Sequence, residues 1–158
     1  MTFIIVTFIL SLDQFTKFLA RKNLLLNNPV PVIKNVFYLT LVHNRGAAFG
    51  ILKNQIYFFI ITSGLAIALI WFSLRNNRHK QPFIFNFALN LILAGGLGNL
   101  IDRLFFGYVI DFIDIRIYPL FNWPVFNAAD SAITVGAILL GWGIITSRDK
   151  GLPLSVIK

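Results

Sequence analysis

The sequence predicts a mainly α membrane protein in which four transmembrane helices carry a small amount of β-structure. Three observations predict it. First, of 158 residues, 57% are hydrophobic and 13% charged, and the mean hydropathy is +0.76; soluble domains hold about 45–50% apolar and about 25% charged residues. Second, four apolar stretches approach the length that crosses a bilayer. Third, aromatic residues collect at the ends of those stretches: Tyr57, Tyr108, Tyr118 and Trp123 on one side, Trp71 and Trp142 on the other, as membrane-interface belts require. The length suits one integral membrane domain over residues 1–158.

Thr2–Ala20 is the first expected span. At about 1.5 Å per residue it reaches roughly 28 Å, close to the hydrocarbon thickness of about 30 Å. No Lys or Arg precedes Lys17 and no small-residue cleavage site follows, so it reads as a retained helix rather than a signal peptide. Asp13 and Lys17 lie four residues apart, acid first, which favours a pair on one helix face. Residues 21–55 are not a span, because Asn27-Asn28-Pro29 and Pro31 break helix. Val36–Val42 is β-branched and aromatic and reads as a strand. His43–Gly50, HNRGAAFG, reads as a loop of small residues.

Ile56–Leu74 is the second span, closed by Arg75, and carries no chemistry. A short basic loop follows, and Pro82 opens the third span, Phe83–Leu104. Asn99 shares a face there with Asp102 and Arg103, while Asn90 points elsewhere. Asn86 and Asn90 therefore read as polar contacts between helices. From Asp111 onward, residues 109–118 alternate as a strand does and can pair with Val36–Val42. Val125–Thr146 is the fourth span. Asn127 and Asp130 open it at capping-box spacing.

Several function classes are excluded. There is no Cys, so disulfides, thiolate catalysis and Cys-bound metals are out. The two histidines, His43 and His79, cannot build a zinc site. Hence no metal or cofactor is expected. The net charge of +8 fits basic residues meeting lipid headgroups better than nucleic acid. It does not orient the chain, because Arg21, Lys22, Lys34, Arg45 and Lys53 sit on one side and the loop at 75–80 and the tail are basic on the other.

The chemistry concentrates between Gly95 and Asp130. Four of the six acidic residues lie there, Asp102, Asp111, Asp114 and Asp130, and the chain has no Glu. A carboxylate at a membrane boundary is costly without a partner or a job. A Ser nucleophile lacks a placed base, since His43 has no evident serine. What remains is a carboxylate pair, Asp111 and Asp130, sharing a proton. The ionised member can take a proton from water while the neutral one polarises a carbonyl. A helix N-terminus favours the anion at Asp130, and apolar neighbours favour the neutral acid at Asp111. The plain alternatives stay open at this point: Asp130 as a capping acid, and Asp111 as an ion-pair partner of Arg103 or Arg116. Strand parity puts Asp114 on the face opposite Asp111, beside Arg116, where an exposed pair is expected.

Five motifs in order, DQFTK (13–17), HNRGAAFG (43–50), GGLGNLIDR (95–103), VIDF (109–112) and FNAAD (126–130), together resemble the lipoprotein signal peptidase family, signal peptidase II. The resemblance spans nearly the whole chain. It implies a bacterial membrane aspartic peptidase with four transmembrane helices, a small extracytoplasmic β-cradle and a short amphipathic helix. It implies removal of signal peptides from diacylglyceryl-modified prolipoproteins by cleavage before the lipidated Cys. Asp111 and Asp130 would be the catalytic pair, and Asn44, Asn99, Arg103 and Asn127 would line the substrate and inhibitor site. Asp13 and Asp102 would support them, with Lys17 as the structural partner. The implied location is the bacterial cytoplasmic membrane, with termini inside and the site outside. The implied partners are prolipoprotein, membrane lipids and a globomycin-type inhibitor.

Two other classes compete. A small solute or proton carrier could use intramembrane Asp residues as a relay, but the acids gather at one boundary and no repeat is visible. A non-catalytic membrane partner protein would tolerate loss of any single Asp.

Overall fold

The computed structural model describes residues 2–46, 54–76, 82–117 and 121–149. Its elements in order are α1 (Thr2–Asn23), β1 (Val30–Ile33), β2 (Phe37–Asn44), α2 (Ile56–Asn76), α3 (Phe83–Phe106), β3 (Val109–Ile117), β4 (Phe121–Asn122) and α4 (Ala128–Asp149). Four helices are long and apolar enough to cross a membrane, so the four expected spans are present. The second half of HNRGAAFG, the loop around 77–80, Tyr118 and the basic tail lie outside the described residues. Among the described residues there is no short amphipathic helix.

α3 is central and packs against α1, α2 and α4. It buries Ala88, Leu91, Leu93 and Ala94 together with Asn90, Asn99 and Asp102. α2, in contrast, buries only Leu74 and exposes Tyr57, Ile61, Leu65 and Leu69. So many outward apolar side chains suit lipid, not water. Glycines on α3 permit the tightest approaches. A Cβ on Gly98 would run into the Asp13 carboxylate and the Ala129 side chain, so its absence lets α1, α3 and α4 meet. α3 ends at Gly107, which takes a left-handed φ of 77° and donates its N–H to the Arg103 carbonyl at 3.2 Å. Only glycine adopts this turn without strain, and it sends the chain directly into β3.

The strands form one sheet in the order β1-β2-β3-β4. β2 and β3 pair antiparallel, with Tyr38 opposite Asp114 and Val42 opposite Asp111; the register slips between Leu39 and Val42. The expected pairing of the two strand-like segments is therefore present. One sheet face closes over Ala20 of α1 through Leu41, Ile110 and Phe112.

Several expectations need correction. α1 runs on to Asn23. β1 occupies a stretch expected to be a connector. It is an edge strand, where Pro31 is tolerated, and Asn35 turns the chain into β2 with φ 66°. α4 starts at Ala128, not Val125, because the preceding segment runs along β3: Phe126 exchanges hydrogen bonds with Ile113, accepting at 2.8 Å and donating at 3.0 Å. Asn90 bonds its own helix, donating to the Asn86 carbonyl at 2.7 Å, rather than bridging helices. Asp114 does pair with Arg116, but it is not exposed: it is 4% accessible and accepts from Thr40 at 2.5 Å. The reason is the sheet core, which covers the face that parity alone assigned to solvent.

Candidate active site

Asp111 and Asp130 line the same cavity, of about 540 Å³, at the end of the bundle that carries the sheet. Two local structures bring them there. Asp111 is the third residue of β3, paired with Val42. Asp130 lies in the first turn of α4. The Phe126–Ile113 bonds tie the segment before α4 to β3 two residues beyond Asp111, so the VIDF and FNAAD motifs are stitched together.

Three asparagine amides hold the carboxylates. Asn44 donates to Asp111 Oδ2 at 2.9 Å, and Asn127 donates to Asp111 Oδ1 at 2.7 Å. Asn99 donates to Asp130 Oδ1 at 2.8 Å. The amide orientations are fixed from behind. Asn44 Oδ1 accepts the Gly46 N–H at 3.0 Å, and Asn99 Oδ1 accepts from Lys17 Nζ and from Asn127, both at 3.1 Å. Asn127 and Asp130 also form the expected reciprocal cap: the Asp130 N–H donates to Asn127 Oδ1 at 2.8 Å and the Asn127 N–H to Asp130 Oδ2 at 3.3 Å.

Beneath this layer lies an ionic core. Lys17 is 1% accessible and pairs with Asp13 at 2.9 Å and Asp102 at 2.8 Å. Gln14 donates to both acids. Each acid also grips one backbone N–H. Asp13 accepts from Ala129 at 2.9 Å, and Asp102 accepts from Ile110 at 3.0 Å. Those are the residues immediately before Asp130 and Asp111. The sequence showed the Asp13–Lys17 spacing and the Asn99–Asp102 face, but not this double grip, because backbone partners leave no signal in residue identity.

Arg103 lines the cavity, with its guanidinium over the Phe59 ring at 5.1 Å and a long bond of 3.4 Å to the Asn99 carbonyl. His43 is no base for this site. It stacks on Tyr108 with ring centroids 3.9 Å apart. The other cavity walls include Trp123, Val125, Phe126, Ile133 and Val135, an apolar surface beside a polar floor.

Electrostatics separates the acids on the strand. Burial, reinforced by the nearby Asp130, raises the Asp111 carboxyl to about 7. Asp114 goes the other way. Burial alone would raise it, but the Arg116 and Thr40 hydrogen bonds hold it below the ordinary carboxylate value. Among the described residues no cluster of His, Cys, Asp and Glu could hold a metal ion.

Fold and site together define a multi-pass membrane protein with a pair of carboxylates, Asp111 buried and Asp130 half-buried, at one end of its bundle. Residues 5–146 match the family model described as signal peptidase (SPase) II, so the chain belongs to that peptidase family. It is 49% identical to the lipoprotein signal peptidase of Caldanaerobacter subterraneus subsp. tengcongensis over 146 residues, covering 92% of this chain and 96% of that protein. The lipoprotein signal peptidase of Moorella thermoacetica is 45% identical over 137 residues, covering 87% of each. That of Halothermothrix orenii is 43% identical over 140 residues, covering 89% of this chain and 92% of the other. A solved bacterial membrane enzyme, obtained by the in meso method at 2.3 Å resolution, superposes with a TM-score of 0.86 at 31% identity, covering 94% of this chain and 90% of its own. A second, at 1.9 Å resolution, gives 0.78 at 33%, covering 90% and 91%.

Proposed function

We propose that this chain is an aspartic endopeptidase that removes signal peptides from diacylglyceryl-modified prolipoproteins, cutting before the lipidated Cys. The observation that carries the proposal is the pair Asp111 and Asp130 on one cavity, each held by amide donors at the end of membrane-length helices. A lipid-anchored peptide presents its scissile bond at that depth, and apolar walls such as Val125 and Ile133 suit its acyl chains.

The roles follow from the environments. Asp111, raised to about 7, starts as the neutral acid and hydrogen-bonds the scissile carbonyl oxygen. Asp130, at the N-terminus of α4, starts as the anion and accepts a proton from water. The hydroxyl adds to the carbonyl carbon while Asp111 passes its proton to the oxygen, giving a gem-diol. Collapse breaks the C–N bond: Asp130 delivers a proton to the leaving amine, Asp111 recovers one from the diol, and the acid product forms. Asn44, Asn99 and Asn127 keep both carboxylates aimed throughout. Arg103, anchored on Phe59, offers N–H donors to backbone carbonyls of the bound peptide.

Chemistry of this kind requires neither metal nor cofactor. A globomycin-type cyclic peptide would compete for the same cavity. The whole chain acts as one membrane domain in the bacterial cytoplasmic membrane, with termini cytoplasmic and the sheet end extracytoplasmic. The test is cleavage of a prolipoprotein peptide by the purified chain, with and without the diacylglyceryl group. Lipidated peptide should be cut and unmodified peptide turned over poorly. Equal turnover of the two would sink the proposed substrate class, and cleavage of neither would sink the activity.

A further inference from the structure

We propose that Arg21, His43 and Arg45 form a binding site for the phosphate of an anionic phospholipid headgroup, on the sheet face opposite the carboxylate pair. The inference stands apart from the catalytic proposal and holds whichever leaflet the sheet end meets.

Position comes first. Asn44 turns its amide toward Asp111, so its β2 neighbour His43 points to the other face, and the exposed Arg45 follows directly after the end of the strand. On that face His43 stacks on Tyr108 at 3.9 Å, Tyr108 stacks on Phe106 at 6.1 Å, and the Arg21 guanidinium lies over Phe106 at 4.3 Å. The ladder runs from the last turn of α1, past the last residue of α3, to β2. That is where a spanning helix meets headgroups.

Charge comes second. Among the described residues the ion pairs join Lys17 to Asp13 and Asp102, and Arg116 to Asp114. Among those described residues no carboxylate pairs with Arg21, Lys22, His43 or Arg45. The local field is positive: burial and then the Arg21 and Arg45 guanidinium groups hold the His43 imidazole below its ordinary value. An arginine stacked on a ring keeps its plane fixed and its edge N–H groups free, the arrangement that takes a phosphate two bonds at a time.

The surroundings choose lipid over free phosphate. Phe18 sits one turn before Arg21 on the same face of α1, and it is exposed, as is Phe105 at the end of α3. A positive site directly above outward aromatic side chains matches a headgroup with acyl chains beneath it. A soluble anion would gain nothing from that apolar surface.

The test is thermal melting of the full chain in neutral detergent, titrated with phosphatidylglycerol, phosphatidylcholine or glycerol phosphate. Phosphatidylglycerol should raise the melting temperature saturably, and the other two should not. R21Q/R45Q should weaken the apparent phosphatidylglycerol affinity by roughly 30-fold, from about 1 kcal/mol per basic residue and 1.4 kcal/mol per tenfold. If that variant gives no cooperative melt, the single change R45Q should still weaken it about 5-fold on the same scale. R75Q, at the far end of α2, should leave it unchanged. An unaltered affinity in R21Q/R45Q or R45Q, an equal loss in R75Q, or an equal shift with glycerol phosphate overturns the proposal.

Discussion

Asn127 shows how much one side chain can carry. Its oxygen caps the Asp130 N–H and its nitrogen donates to Asp111. Asn127→Ala should therefore lose a helix cap, costing about 0.5–2 kcal/mol, and lose kcat beyond anything the melt explains. A variant that melts lower but cleaves at the wild-type rate contradicts the positioning role. Asp111 sets the pH behaviour. Its carboxyl titrates at about 7 in the folded chain, against roughly 3.9 unfolded. A raised folded value stabilises fully below the unfolded pKa, and that contribution is lost as pH rises through about 7. The melting temperature should thus fall between about pH 4 and about pH 7, the span of the shift, and Asp111→Asn should flatten that slope. On the proposed mechanism, kcat/KM declines as pH rises through about 7, where the acid loses its proton. Asp114 is the internal contrast. Buried against Thr40 and Arg116, it should cost about 1–3 kcal/mol when changed to Asn, with cleavage largely kept.

The elements α1, α3 and α4 meet at the Lys17 core, and this is where the helices are locked to the site. Removing the cation leaves two buried carboxylates, Asp13 and Asp102, without their partner. Lys17→Met should destabilise by roughly 3–5 kcal/mol, read as a melting shift in detergent. A shift near zero would mean the triad does not hold the bundle. Spans, their order and the β2–β3 pairing were legible because hydropathy runs and alternation act locally along the chain. The N-terminal cap of α4 was also legible, since Asn127 and Asp130 lie three apart. The start of α4 was misplaced because Val125 and Phe126 are as apolar as the helix that follows; only their pairing with β3 keeps them extended. β1 was hidden for the converse reason, as Pro31 within it and Pro29 just before it disguise an edge strand.

For the molecule as a whole, the proposed orientation makes a clear prediction. Reporter fusions at Asn77 and Ile115 should give opposite signals, cytoplasmic at Asn77 and extracytoplasmic at Ile115. A cytoplasmic signal at Ile115 refutes the topology. The acidic pair stood out in the sequence because so few acids had to serve a largely apolar chain. Long-range relations did not: Asp13 reaching Ala129, or Phe126 reaching Ile113, depends on how the helices pack. The burial of Asp114 was missed for the same reason, since parity fixes a face but not what covers it.

The central claim is that Asp111 and Asp130 work as one unit, and cleavage of a lipidated prolipoprotein peptide by four purified variants tests it most directly. Asp111→Asn and Asp130→Asn should each fold and lose nearly all activity, because an amide cannot cycle a proton. The double substitution should be scarcely slower than either single, as expected when two groups share one step. Asp114→Asn should still cleave. Helicity and thermal melting serve as folding controls. If Asp111→Asn or Asp130→Asn cleaves normally, or if the double substitution costs the product of the two single losses, the pair is not the catalytic unit.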